Sequence, residues 1–196
     1  IAYTIESGLV SMLIYYVTKD LRLTSKTSFL LIGPIILSIG SFTSRAWLTS
    51  AFNKDFFVLF ILGAVLFVLG LFFLQKQKET DDKEIKDIGP ALIIAGSVYA
   101  YALIWNTLHS ALTDADMATM VSLVIYTIIG ITTYFYGKLE NEKIFRTYGG
   151  ILLGLVIARL FIVDVWKMEL AGKIVTFFLL GALLVSTAFI GKKKQL

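Results

Sequence analysis

The chain has 196 residues, of which 57% are hydrophobic and only 16% charged, with a net charge of +4 and a mean hydropathy of +0.81. A soluble domain carries about 25% charged residues. The composition therefore excludes disorder, the absence of Cys excludes a disulfide scaffold and a zinc or iron–sulfur centre built on Cys, and the apolar bulk excludes a nucleic-acid binder.

A membrane-crossing helix needs about 20 mostly apolar residues. Seven segments meet this: Ile1–Thr18, Phe29–Trp47, Asp55–Leu74, Ile88–Ala111, Met117–Tyr136, Tyr148–Trp166 and Ala171–Ile190. Uninterrupted apolar runs predict helices, because in lipid the backbone must satisfy its own hydrogen bonds. The expected fold is an all-α, polytopic transmembrane helix bundle. It forms a single transmembrane domain, residues 1–196, with the lipid bilayer as its principal partner.

Basic residues orient the bundle. The connections Lys19–Ser28, Gln75–Asp87, Gly137–Thr147 and the tail from Gly191 hold 13 of the 18 Lys and Arg. The opposite set holds Arg45, Lys54, Lys167 and Lys173, and Arg159 lies within a span. The positive-inside rule then predicts an N-terminus outside and a C-terminus in the cytoplasm. The positive charge reads as an inner-leaflet collar, and Gln75–Asp87, with four Lys and five acids, as a solvated loop. Trp47, Trp105 and Trp166 fall at the outer interface by this topology, and Tyr15, Tyr16, Tyr134, Tyr136 and Tyr148 near the inner one, as amphipathic rings prefer.

The numbering starts at Ile1, within an apolar run that has no basic n-region and no small-residue cleavage site. The first span is therefore no signal peptide, and a start inside a longer polypeptide is expected. The missing N-terminal part of that polypeptide, or other membrane subunits, would be partners. The tail Lys192-Lys193-Lys194-Gln195-Leu196 reads as part of the collar; in a eukaryote it would also fit a dilysine retrieval signal and an endoplasmic-reticulum membrane.

Ionisable groups inside a span are functional candidates by default. Glu6 lies about 15 Å from Tyr16, and Arg159 about 16 Å from Tyr148, at 1.5 Å per residue. Both anchors are inner, so the two charges sit at similar depth and form a candidate intramembrane ion pair. It would be a structural clamp, or a charged gate for an ion or small solute. Arg45, Asn106, His109 and Asp164, with Trp47, Trp105 and Trp166, form a candidate outer polar cluster. It is either an outward pocket or an ordinary interfacial zone. Asp164 is five residues from Arg159, about 140° around the helix, so the two face apart. A lone His109 excludes bis-His haem ligation.

Gly150, Gly154 and Ala158 repeat every fourth residue, as do Gly96 with Ala100 and Ala182 with Ser186; this is the small-residue pattern that lets helices approach closely. Gly33-Pro34 is a candidate kink. No residue set matches a metalloprotease, a nucleophile elbow or a phosphate loop. Lys173 stands at the wrong end of the last span for retinal. No cofactor is implied, and the reading is a non-catalytic membrane protein or complex subunit. A transporter using Glu6 and Arg159 is the first alternative. An enzyme acting on lipid or envelope precursors, through His109 and Asp164, is the second.

The C-terminal quarter carries a resemblance. Arg159-Leu160-Phe161-Ile162-Val163-Asp164-Val165, Lys173-Ile174, Phe177-Phe178-Leu179-Leu180-Gly181 and Leu183-Leu184 resemble a bacterial family of predicted multi-pass membrane proteins, catalogued as domain of unknown function 2339. The likeness covers about Tyr148–Lys194. This chain has Arg159 and Lys173 where the family pattern has Lys and Arg, and Phe189 where a Tyr is usual. The resemblance implies a bacterial inner (plasma) membrane location and a longer, many-spanned protein. It implies no catalytic residue.

Overall fold

The computed structural model describes residues 1–76 and 82–164, together with Phe178 and Gly181. Every element among them is helical: α1 (Ala2–Thr18), α2 (Leu21–Ser28), α3 (Ile32–Phe42), α4 (Lys54–Lys76), α5 (Lys83–Ala111), α6 (Ala115–Leu139) and α7 (Lys143–Arg159), with short 3-10 turns at Phe29–Leu31 and Arg45–Leu48. Five stretches are long and apolar enough to cross a membrane: Leu21–Phe42, Lys54–Lys76, Ile85–Ala111, Ala115–Leu139 and Lys143–Val163. The segment Ala171–Ile190, expected as the seventh span, lies outside the described residues except for Phe178 and Gly181, both helical.

Local chemistry sets the boundaries. α1 has 17 residues, at the low end of the range of about 17–25 that a crossing takes. It stops at Lys19, which adopts the left-handed conformation (φ 55°) and donates its N–H to the Tyr15 carbonyl. Asp20 then starts α2, its Oδ1 accepting from the amides of Arg22 (2.8 Å) and Leu23 (3.3 Å). This moves the second apolar stretch relative to the expected Phe29–Trp47. Helix begins eight residues earlier, because Thr24, Ser25 and Ser28 are buried and Thr24 and Ser28 return their hydroxyls to the Asp20 and Thr24 carbonyls. The 3-10 turn at Phe29–Leu31 leads into α3 just before Pro34, which has no N–H to give the helix. α3 closes at Phe42, and Trp47 belongs to a separate turn capped by Ser44. Asn53 caps α4, its Oδ1 accepting from the amides of Asp55 and Phe56. Asp114 starts α6 in the same way, and Asn141, at φ 57°, falls in the turn before α7. A π-helical turn, Leu160–Asp164, follows α7.

The chain divides into two compact units, Ile1–Ser122 and Leu123–Leu196. In the first, α4 is central. Leu59, Leu62, Leu66, Leu69 and Phe73 recur along one side of it and are sealed from solvent. α1 lays Thr4, Ser7, Gly8 and Ser11 inward, with Gly8 against Val65. α5 runs antiparallel to α4 along a glycine seam. A methyl at Gly96 would lie 3.2 Å from the Gly63 carbonyl, and one at Gly89 3.2 Å from the Gly70 carbonyl.

In the second unit, α7 buries Gly149, Leu152, Leu153 and Val156, and Gly149 meets the backbone of Gly130 and Tyr134. The expected contact face Gly150, Gly154 and Ala158 lies beside this one. Gly154 and Ala158 are exposed, and among the described residues nothing comes within 4 Å of a methyl at Gly154.

Candidate functional site

Two polar regions mark opposite ends of the first unit. At one end Lys19 lies over the rings of Tyr15 (5.4 Å) and Tyr16 (4.8 Å), and Lys76 also lies over Tyr15 (5.7 Å). Arg22 pairs with Asp82 at 2.7 Å, with the arginine largely exposed. An exposed pair of this kind contributes at most about 1 kcal/mol.

At the other end, the close of α3, the start of α4 and the C-terminal half of α5 form a buried polar seam. Ser38 and Ser41 share the inward side of α3, one turn apart. The Ser38 and Tyr99 hydroxyls meet at 2.6 Å, and both residues are buried. The Ser41 hydroxyl donates to Asp55 Oδ1 at 2.8 Å. The Trp47 indole Nε1–H donates to the Ser41 carbonyl at 2.7 Å, and the Asn106 amide to the Phe42 carbonyl at 3.2 Å. These two side chains therefore cap carbonyls that the end of α3 leaves without helical donors. The Tyr99 ring packs on Phe42, centroids 5.2 Å apart.

Asp55 is the costly member. It is 7% exposed, and its Oδ2 is buried with no hydrogen-bond partner among the described residues. Desolvating a carboxylate costs several kcal/mol even after relaxation. The Ser41 bond returns about 1.5–3 kcal/mol, and the position in the first turn of α4, near the positive end of the helix dipole, about 0.3–1 kcal/mol. Among the described residues, no three His, Asp or Glu side chains gather as metal ligands.

The sequence-predicted residues divide between the units. Asn106 and Trp47 meet the end of α3 from two elements. His109 stacks on Trp105, ring centroids 4.0 Å apart; its Nδ1 lies 2.9 Å from the Trp105 carbonyl and its Nε2 3.2 Å from Thr119 Oγ1. Arg45 is exposed at the head of its 3-10 turn. Glu6 is exposed on α1. Arg159, the last residue of α7, is half-buried in the second unit, and Asp164 ends the π-helical turn there. Trp166 lies outside the described residues. Sequence reasoning missed Asp55, Ser41, Ser38 and Tyr99. The signal was present: Asn53-Lys54-Asp55 ahead of an apolar run is a helix start, and Ser38 with Ser41 is a hydroxyl pair one turn apart in an apolar helix.

Several apolar helices and a buried polar seam already mark a membrane protein. A family model described as "Predicted membrane protein (DUF2339)" matches residues 5–193. The chain belongs to that family. The match extends the resemblance of the C-terminal quarter to nearly the whole chain. No curated protein and no solved structure matches it. As a member of this family, the chain has a lipid bilayer as its environment, and its apolar outer surface fits that. Leu9, Leu13, Leu37, Ile39, Phe60, Val124, Ile128 and Leu155 are all exposed, as lipid-facing side chains are.

Proposed function

We propose that this member of the family is a non-catalytic module of a larger assembly in the bacterial inner membrane. It crosses the membrane seven times, with its N-terminus outside and its C-terminus in the cytoplasm. The observation that carries the assembly is Glu6. It is exposed on α1 beside exposed Ile5, Leu9, Val10 and Leu13. A carboxylate facing lipid at mid-depth costs roughly 2.5–3.5 kcal/mol on insertion scales. Protein covering that side of α1 removes the cost. The orientation is supported by the gathering of Lys19, Arg22 and Lys76 at one end of the first unit and of Trp47 at the other. The interior between α4 and its neighbours is close-packed with Leu59, Leu62, Leu66 and Leu69, which favours a structural role over a solute path through this unit.

The test is assembly size in native membranes solubilised in a mild detergent. The wild type is expected in a complex of discrete mass well above its own, and Glu6→Leu in a smaller one. Monomers in both cases would refute the reading.

A second reading, a transporter or channel using Glu6 and Arg159, is favoured by one feature. The π-helical turn Leu160–Asp164 begins directly after Arg159, and such turns occur frequently at functional sites. Solute flux in proteoliposomes that is abolished by Arg159→Gln, with assembly size unchanged, would select this reading.

A further inference from the structure

We propose that Asp55, the Ser41 hydroxyl and the C-terminal carbonyls of α3 form a binding site for a small monovalent cation, with Na⁺ as the fitting ion. This goes beyond the assembly reading and does not depend on it. Asp55 is more than nine-tenths buried, one oxygen accepts from Ser41, and the other has no partner among the described residues. Its nearest cationic neighbours in sequence, Arg45 and Lys54, are exposed.

Ser41 differs from most of the buried serines. Ser11, Ser28, Ser97 and Ser122 each donate to the carbonyl four residues back. The Ser41 proton goes to Asp55 instead, which leaves lone pairs of its oxygen free to face the carboxylate's surroundings. α3 ends at the next residue, so the negative end of its dipole converges on the same spot. The Ser41 and Phe42 carbonyls each accept one side-chain bond, from Trp47 and Asn106, and each retains a second lone pair.

A carboxylate beside a helix C-terminus within an apolar bundle sets two negative features together, which the positive end of α4 offsets only in part. Helix C-terminal ends and free carbonyls are how membrane proteins coordinate Na⁺. The donors are all hard oxygens, which select alkali or alkaline-earth ions over transition metals. One formal negative charge matches one positive charge. The amides at the start of α4 do not compete for the carboxylate, since Asn53 takes those of Asp55 and Phe56. The ion would fasten α3 to α4.

The experiment uses the purified chain in detergent, with choline chloride replaced stepwise by NaCl or KCl at constant ionic strength, and follows thermal unfolding. The wild-type midpoint is expected to rise and saturate with Na⁺, to respond less to K⁺ and not to choline. Asp55→Asn is expected to remove the dependence. Ser41→Ala is expected to shift the half-saturating Na⁺ concentration up about tenfold, the worth of one charge-assisted hydrogen bond. Ser41→Ala decides the matter if Asp55→Asn does not fold. A wild-type midpoint indifferent to Na⁺, or an equal rise in choline or in Ser41→Ala, would overturn the proposal.

Discussion

Gly149 and Gly150 are neighbours in α7, and the structure assigns them opposite fates. A methyl carbon at Gly149 would stand 2.5 Å from the Tyr134 amide nitrogen and 2.7 Å from the Gly130 carbonyl oxygen. Ordinary contact begins at 3.4 Å, so α6 and α7 would have to part by about 0.9 Å. Neither obstacle is a side chain that can rotate away. Overpacking costs typically 1–3 kcal/mol, and contact with two backbone groups points to the upper end. The better helix propensity of Ala returns about 1 kcal/mol, for a net loss near 2 kcal/mol with Gly149→Ala. Among the described residues, the nearest atom to such a methyl at Gly150 is Tyr134 Cδ2 at 3.9 Å, and nothing lies within 4 Å of one at Gly154. Gly150→Ala and Gly154→Ala should therefore equal the wild type or exceed it by up to about 1 kcal/mol. The assay is reversible unfolding of the purified protein in mixed micelles. Stability of Gly149→Ala at or above that of Gly150→Ala would refute the reasoning.

Three further outcomes are expected. Asn53→Ala removes the cap of α4 and should cost about 1 kcal/mol in the same unfolding assay, whereas Asn53→Asp should cost a few tenths at most. Tyr99→Phe removes the hydroxyl that meets Ser38, while Ser38 keeps its bond to the Ile35 carbonyl, so it should cost about 0.5–1.5 kcal/mol, one net hydrogen bond, in the same assay. Because the chain has no Cys, single cysteines report topology cleanly: Thr49→Cys should react with an impermeant thiol reagent added outside intact cells, and Lys138→Cys only after the membrane is opened.

Much of the helical plan was legible in the sequence because apolar length decides it. α4, α5 and α6 contain the runs read from composition, each extended by helix caps or polar turns that hydropathy undercounts, and α7 starts ahead of the sixth run and carries it as far as Arg159. Leu21–Ser28 was misread as connection because Arg22, Lys26 and four hydroxyl residues lower its hydropathy. Asp20 capping and hydroxyl bonds back to the helix backbone make it helix all the same. Among the described residues, the face of α7 that meets α6 carries Gly149, one residue from the expected Gly150. Periodicity marks a stripe of small residues but cannot say which side of it meets α6. Asp55 was hidden for a related reason: an acid in the first turn of a helix is ordinary at an interface, and only its burial beside Ser41 and Trp47 makes it unusual. Asn106 and Trp47 stand in the outer cluster read from the sequence, and the end of α3 supplies their partners, the Phe42 and Ser41 carbonyls.

The claim that α1 is covered by protein can be tested where it stands. A photoreactive benzoylphenylalanine replacing Leu9, which is 63% exposed and one turn from Glu6, should on illumination of native membranes form a protein crosslink of discrete mass. A control probe at Leu155, on the exposed side of α7, locates any second contact. Crosslinks from Leu9 to lipid alone would contradict the account.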